Sequence, residues 1–300
     1  MSLRVGVLAP ESSWHFRDLQ RSNSMAANGQ KVELVAVDFA TLAASVGIEE
    51  IAPFSDFANS VQAMDAVIVR TMPKGSLQQI VFRMDLLHRL ESAGIRIVNS
   101  PRSVEIAIDK YLSLALMADN GISIPAFAVC QTVEQGLDTF ERMGRDAILK
   151  PIFGSMGKHV YRLSEISEAR SLMQRFVDQG EVIYLQKFVR HGGSDIRILV
   201  VGEEIFSMRR IGPAGSWLTN IARGSTAERY RPNAKEVELA RKAAKINRCE
   251  IAGIDIAYDN GSDDPLVLEV NASPGWEAIQ NVCESDVANS VLKAVTTNLG

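Results

Sequence analysis

A short apolar run at residues 5–9, closed by Pro10, is followed by similar runs in KVELVAVD, DAVIVR and IRIVNS, each separated from the last by a helix-length segment. Such runs mark strands buried on both faces, and the long connections between them are those a parallel sheet needs. Residues 1–99 are therefore predicted to form a parallel sheet covered by helices. No GxGxxG follows the first strand, which argues against a dinucleotide-binding domain. From residue 100 the period becomes helical: Ser103 can cap, apolar residues recur at Ile108, Leu112, Ala115 and Leu116, and Gly121 can stop the helix. Beyond it lie strand candidates at AFAVC, AILKP, HVYRL, VIYLQKFV, DIRILVVG, EIFSMRR, GIDIAYD and LVLEVNA, interrupted by helix-like stretches at 165–179 and 234–247. This is an α+β pattern with much antiparallel pairing, and it shows no internal repeat.

Composition narrows the partners. The 300 residues carry a formal net charge of −4, which gives no global reason to bind nucleic acid or an anionic membrane. No stretch approaches the roughly 18 consecutive apolar residues of a membrane span, and the run at residues 5–9 is too short for a signal-peptide core. Cys130, Cys249 and Cys283 are odd in number and far apart, so neither a disulfide framework nor a zinc site is indicated. A soluble cytoplasmic protein acting on a small molecule or a protein is the expectation.

In LVLEVNASPG, Glu269 and Asn271 are two apart on an extended strand and share a face, with Leu268 and Val270 on the other. Asp255 sits in a similar apolar strand, and two carboxylates with an amide oxygen suit a hard cation such as Mg²⁺. Polar residues on a half-exposed strand would give Glu269 and Asn271 the same spacing. Lys150 ends AILK just before Pro151 and a loop whose backbone amides, from Gly154 to Gly157, could fold over a phosphate; Lys110 follows Asp109 on a helix. The loop is not a P-loop, because Ile152 stands at the first glycine position and His159 at the Ser/Thr position. Arg197, Arg209, Arg210 and Arg223 lie in or beside strands, where they could hold phosphate or carboxylate groups or merely pair on the surface. Histidines 15, 88, 159 and 191 lack metal-ligand spacing, and no serine or cysteine sits in a nucleophile elbow, so hydrolase readings fall away.

Taken in order, IDKYLSLALMADNGI, AILKPIFGSMGKHV, LQKFV, SDIRILVVG, RRIGPAGSWLTNIARGSTA, AGIDIAYD and LVLEVNASPG resemble the successive motifs of RimK-type ATP-grasp ligases over about residues 100–275. The resemblance implies an N-terminal pre-ATP-grasp domain at 1–99 and two subdomains, 100–187 and 188–300, that clamp ATP. It implies that Lys110 and Lys150 contact the ATP phosphates and that the loop containing Gly154, Ser155 and Gly157 closes over them. Gln186, Lys187, Phe188 and Val189 would form the hinge that reads adenine, with Asp195 near the ribose or the adjoining polar network. Asn220 and Arg223 would contact phosphate and intermediate, with Arg210 as a further basic residue and Asp255, Glu269 and Asn271 as magnesium ligands. Two ions are expected, with Mn²⁺ able to substitute. Many relatives carry an acidic residue where this chain has Lys187, so the resemblance implies backbone rather than side-chain contacts to the nucleotide there.

The implied reaction transfers the ATP γ-phosphoryl group to a carboxylate and lets an amine displace phosphate to form an amide, with no covalent enzyme intermediate. L-glutamate as the amine and tetrahydromethanopterin or a protein C-terminus as the carboxylate acceptor head the implied substrates. Arg70, at the end of the third strand, is a candidate for the acceptor carboxylate, and Ser12, Ser13, Trp14 and His15 could shape its pocket. A dipeptide or glutathione-type ligase would share the ATP site, and a non-catalytic ATP-binding regulator would bind nucleotide without turnover. A homodimer or homotetramer follows by analogy.

Overall fold

A computed structural model of the chain describes residues 3–25, 32–45, 64–154, 157–297 and 299. The first sheet contains β1 (Leu3–Leu8), β2 (Val32–Val37), β3 (Ala66–Val69) and β4 (Arg96–Val98) in the order β2-β1-β3-β4, all parallel. Successive residues of its strands enter two different cores. Val5, Val7, Ala66 and Ile68 join Phe16 and Leu19 of α1 (Trp14–Met25), while Leu8, Val67 and Val69 join Leu87 and Leu90 of α2 (Leu77–Ser92). Burial on both faces is why these runs are apolar throughout.

The helical stretch after residue 100 is two helices, α3 (Pro101–Ile108) and α4 (Lys110–Asp119). Ser100, not Ser103, caps the first by accepting from the Ser103 amide, and the Ser103 hydroxyl instead donates to the Arg248 carbonyl. Asp109 interrupts the period because its extended backbone and its side chain, accepting from the Leu112 amide, cap the second helix. Both helices touch the last sheet strand described below, and α4 starts at the cleft described in the next section.

The second sheet has the order β5-β8-β6-β7 and is antiparallel: β5 (Phe127–Cys130), β6 (Ala147–Lys150), β7 (Tyr161–Leu163) and β8 (Ile183–Lys187). It packs on α5 (Val133–Arg142) and α6 (Ile166–Asp178) around a core of its own that includes Leu137, Phe140, Leu149, Leu163, Met173 and Phe176. Each such side chain contributes roughly 1.5–3 kcal/mol when fully buried, so this unit rests on its own packing. Helix α5 was not among the helices expected, although Thr132 and Gln135 form a capping box at its start.

The third sheet, β11-β10-β9-β12-β13, is antiparallel, with β9 (Ser194–Val201), β10 (Glu204–Ile211), β11 (Thr226–Arg229), β12 (Ile251–Tyr258) and β13 (Pro265–Asn271). One face, with Ile196, Ile198, Val200 and Ile254, is covered by Ala240, Ala243 and Ala244 of α7 (Ala234–Ile246). At one end of the other face Leu199, Val201 and Ile251 pack with the first sheet and with α8 (Glu277–Cys283) and α9 (Val287–Thr296). Buried Asn99, just after β4, joins the first and third sheets: its amide donates to the Ile251 and Ala272 carbonyls and its oxygen accepts from the Glu250 and Ile251 amides. The free end of that face opens on the second sheet, and a cleft lies between them.

Candidate active site

Strand register assembles the charged wall of the cleft. Arg210 on β10 lies opposite Asp195 on β9, Arg197 lies opposite Asp255 on β12, and Asp255 lies opposite Glu269 on β13. Asp195 and Arg197, and Glu269 and Asn271, are two apart on their strands, so all six side chains share one face. A β-bulge falls between Asp255 and Ile256, where the partner steps from Glu269 to Val267 and leaves Leu268 unmatched. Leu268 therefore does not pair with Val270 on the covered face, as simple alternation implies; it lines the cleft.

The acids and arginines form one buried network. Arg210 donates to Asp195 through Nε at 2.7 Å and Nη2 at 2.5 Å, and its Nη2 also lies 2.9 Å from Asp255. Arg197 grips the same Asp255 carboxylate through Nε and through Nη2, the latter at 2.9 Å. The Thr219 hydroxyl donates to Asp195 at 2.7 Å. Burial opposes ionisation of Asp255, yet the two arginines hold its carboxyl below the usual carboxylate range, and the two acids raise Arg210 in turn. Gly253 makes room for this: a Cβ there would come within 2.6 Å of Arg197 Nη1 and 2.9 Å of Pro274 Cβ.

Glu269 has neither an ion pair nor a hydrogen bond among the described residues, and Asn271 accepts from the Ser273 amide at 2.9 Å. Among the described residues no group of three or more His, Cys, Asp or Glu is placed to hold a metal ion, so any cation here would rely on a mixed set of carboxylate and amide oxygens. Glu269, Asp255 and Asn271 on one face supply that set, which suits Mg²⁺ completed by phosphate oxygens and water.

Facing this wall are two buried lysines. Lys150 donates to Gln186 at 2.8 Å, and burial lowers its pKa from 10.5 to about 8, against the pull of Glu269 and with the push of Lys110. Lys110 donates to the carbonyls of Gly154 at 2.8 Å and Ile152 at 3.3 Å, which fixes the start of the glycine loop. Ser155 lies outside the described residues. At the far side of the loop Gly157 has φ of +64°, its carbonyl accepts from exposed Arg223 at 2.8 Å, and a Cβ would meet Asn220 Oδ1 at 2.5 Å. The 220–223 segment thus clasps the loop, and only glycine fits at the point of contact.

The strand end at Gln186 gives the cleft an uncharged slot. Gln186 is 5% exposed and its side-chain Nε2 is a buried donor with no partner, a feature that calls for a ligand acceptor or water. The amides of Lys187 and Phe188 are already taken by the Ala126 and Asp146 carbonyls, whereas among the described residues the Val189 amide meets no acceptor. Ile148, Val160, Phe188, Trp217 and Leu268 line the same cleft as this edge, and Trp217 meets Phe188 edge to face at 5.8 Å. Such a slot fits a flat, hydrogen-bonding ring.

Of the site residues expected from sequence, Lys110, Lys150, Gly154, Gly157, Gln186, Lys187, Phe188, Val189, Asp195, Arg197, Arg210, Asn220, Asp255, Glu269 and Asn271 line this cleft. Arg223 reaches it through Gly157. Arg70 does not line it: it lies behind the 272–276 loop, donating to the Pro274 carbonyl at 2.7 Å. Arg209 turns away to Glu228 and the Tyr230 ring. Thr219, Trp217, His191 and Gly253 were not singled out in the sequence; only their neighbourhood to the arginine motifs pointed to them.

A family model for the RimK-like ATP-grasp domain matches residues 107–295. The chain is 30% identical over 257 residues to a tetrahydromethanopterin:alpha-L-glutamate ligase of Methanosarcina acetivorans, covering 77% of this chain and 79% of that protein. It is 29% identical over 272 residues to a probable alpha-L-glutamate ligase of Pseudomonas savastanoi, covering 89% and 88%. A RimK domain ATP-grasp protein from Sphaerobacter thermophilus has the same fold, with a TM-score of 0.73 at 20% identity over 97% of this chain and 99% of that one. With the two lysines, the clasped glycine loop and the acid-bearing sheet face on one cleft, these similarities show that the chain belongs to the RimK-like ATP-grasp family.

Proposed function

We propose that this ATP-dependent ligase joins the amine of L-glutamate to a carboxylate of an acceptor through an acylphosphate, releasing ADP and phosphate. The observation that carries the reading is the placement of Glu269, Asp255 and Asn271 across one cleft from Lys150 and Lys110, a spacing of charge suited to a polyphosphate and its cation. Supporting the choice of substrates are relatives named for glutamate ligation, one of them on tetrahydromethanopterin. A pterin cofactor or a protein C-terminus is the acceptor class we favour.

In this reading Lys110 and Lys150 hold phosphate oxygens, and Gln186 with the Val189 amide reads the base edge. Glu269, Asn271 and Asp255 would hold Mg²⁺, which would offset phosphate charge; we propose two ions, for which Mn²⁺ can substitute. Arg197 and Arg210 keep Asp255 ionised and fixed before any ligand arrives, so the wall is preorganised. The loop clasped by Arg223 and Asn220 keeps water from the reactive acyl group, and Arg223 stabilises charge on the intermediate. Lys187, exposed at the rim, leaves recognition there to the backbone. We assign 1–99 to the pre-ATP-grasp domain and 100–187 and 188–300 to the clamp. A cytoplasmic homo-oligomer is consistent with exposed Leu77, Val81 and Phe82 on α2 and with the absence, among the described residues, of a helix able to cross a membrane.

ADP release from Mg²⁺–ATP with L-glutamate and a panel of carboxylate acceptors tests the proposal, with Glu269→Ala alongside. One acceptor–amine pair should stimulate release in the wild type and not in the variant. ATP bound tightly with no release under any pair would instead favour a regulator.

A further inference from the structure

Behind the loop that follows Asn271 lies a second polar corner. Arg70 is 6% exposed and lies with its guanidinium 4.4 Å from the centroid of the Trp276 ring. Its Nη2 donates to the Pro274 carbonyl, its Nε is buried without a partner, and among the described residues no carboxylate lies within ion-pair distance. His15 stands on the same indole, edge to face at 4.5 Å, and its Nε2 is also buried without a partner. The nearby acid, Asp18, is engaged elsewhere, accepting from Trp276 Nε1 at 2.8 Å, from Gln280 and from Arg21.

A guanidinium so buried and unpaired is costly, and a protein retains one where an anion completes it. Desolvation lowers Arg70 to about 9, still charged at neutral pH, and lowers His15 to about 3, which keeps the imidazole neutral. The corner therefore offers one positive charge and one neutral polar nitrogen, a match for a monoanion rather than for a dianionic phosphate. Exposed Gly275 covers it at contact distance: a Cβ there would lie 3.6 Å from His15 Nε2. The corner is also tied to the cleft. Ser273 donates its amide to Asn271 and its hydroxyl to the Val69 carbonyl, and Pro274 packs where Arg197 crosses Gly253.

Resting on the ligase reading above, we propose that Arg70 and His15, beside Gly275, form a subsite for a spectator carboxylate of a substrate, one that is bound but not phosphorylated. Arg70 provides the charge and His15 the second contact, with Trp276 as the floor that fixes both. The chemistry fits a free carboxylate of the amine donor or a second carboxylate of the acceptor.

The test is NMR titration of the His15 ring and the Trp276 indole in protein loaded with Mg²⁺ and a non-hydrolysable ATP analogue. The probes are L-glutamate, glutarate, L-glutamine and inorganic phosphate. Saturable shifts with a carboxylate probe, weakened at least tenfold in Arg70→Gln and in His15→Gln, are expected. A shift with L-glutamate and L-glutamine but not glutarate places the donor's α-carboxylate here; a shift with glutarate alone places an acceptor carboxylate here. No shift with any carboxylate, shifts unchanged in both variants, or phosphate binding as tightly as the carboxylates would overturn the proposal. If Arg70→Gln does not fold, His15→Gln, at a half-buried position, decides alone. Carboxylate binding here without ADP release under any substrate pair would sink the ligase reading and leave the subsite standing; ligase activity without binding here would do the reverse.

Discussion

Replacing Arg210 with methionine removes the cation shared by Asp195 and Asp255 while keeping an unbranched side chain of similar length. The two acids differ in what remains. Asp255 keeps its two-point contact with Arg197, whereas Asp195, with its side chain 3% exposed, keeps only the Thr219 hydroxyl. Removing one partner of a buried pair costs about 3–5 kcal/mol because the other charge is left uncompensated, and here that charge is mainly Asp195. The protein's whole stability is of order 5–15 kcal/mol, so Arg210→Met should lose about a fifth of it or more. Adding Asp195→Asn removes the stranded charge and should return about 2 kcal/mol or more of the loss, since buried pairs replaced together are often near neutral. Urea unfolding of the four proteins at pH 7 without ligand measures the cycle. A single-variant loss under about 1 kcal/mol, or a double variant no more stable than Arg210→Met, would refute the reasoning.

Three further outcomes follow from the same geometry. Lys150 has a folded-state pKa of about 8, so ATP affinity should fall as pH rises from 7.5 through 9.5 and the protonated amine is lost; calorimetry on Lys150→Met should show weaker binding without this limb. His15 has a folded-state pKa of about 3 against an ordinary imidazole value of 6.5, so the unfolded chain binds the extra proton between them. Its contribution to stability is present above pH 6.5 and is lost as pH falls toward 3; in urea titrations His15→Gln should flatten that slope. Gly157→Ala places a methyl against Asn220 at positive φ, so any ADP release should drop at least tenfold while the melting temperature moves by only a few degrees, because the strain sits in a loop.

Much of the wall was legible because strand period is local. GIDIAYD and LVLEVNA read directly as strands with their acids on one face, and AILK placed Lys150 at a strand end. The cross-strand partners were not legible. Nothing in DIRILVVG or SMRR shows that Arg210 faces Asp195, or that Arg197 crosses Gly253, since these depend on register between strands. The bulge at Leu268 defeated alternation because it is set by the partner strand, and the break at Asp109 was hidden by an apolar period that runs through it. Helix α5 carries a local signal of its own, its T-x-x-Q box lying just after a strand. Arg70 illustrates the opposite limit. Its position at a strand end was clear, but the loop that separates it from the cleft comes from residues about 200 positions later.

The chemistry itself is tested most directly by the fate of the acceptor oxygen. With an active acceptor whose carboxylate carries ¹⁸O, Mg²⁺–ATP and L-glutamate, the inorganic phosphate released should contain one ¹⁸O atom per amide formed, with ADP as the nucleotide product. Phosphate free of ¹⁸O, or AMP and pyrophosphate in place of ADP and phosphate, would contradict an acylphosphate-forming ligase.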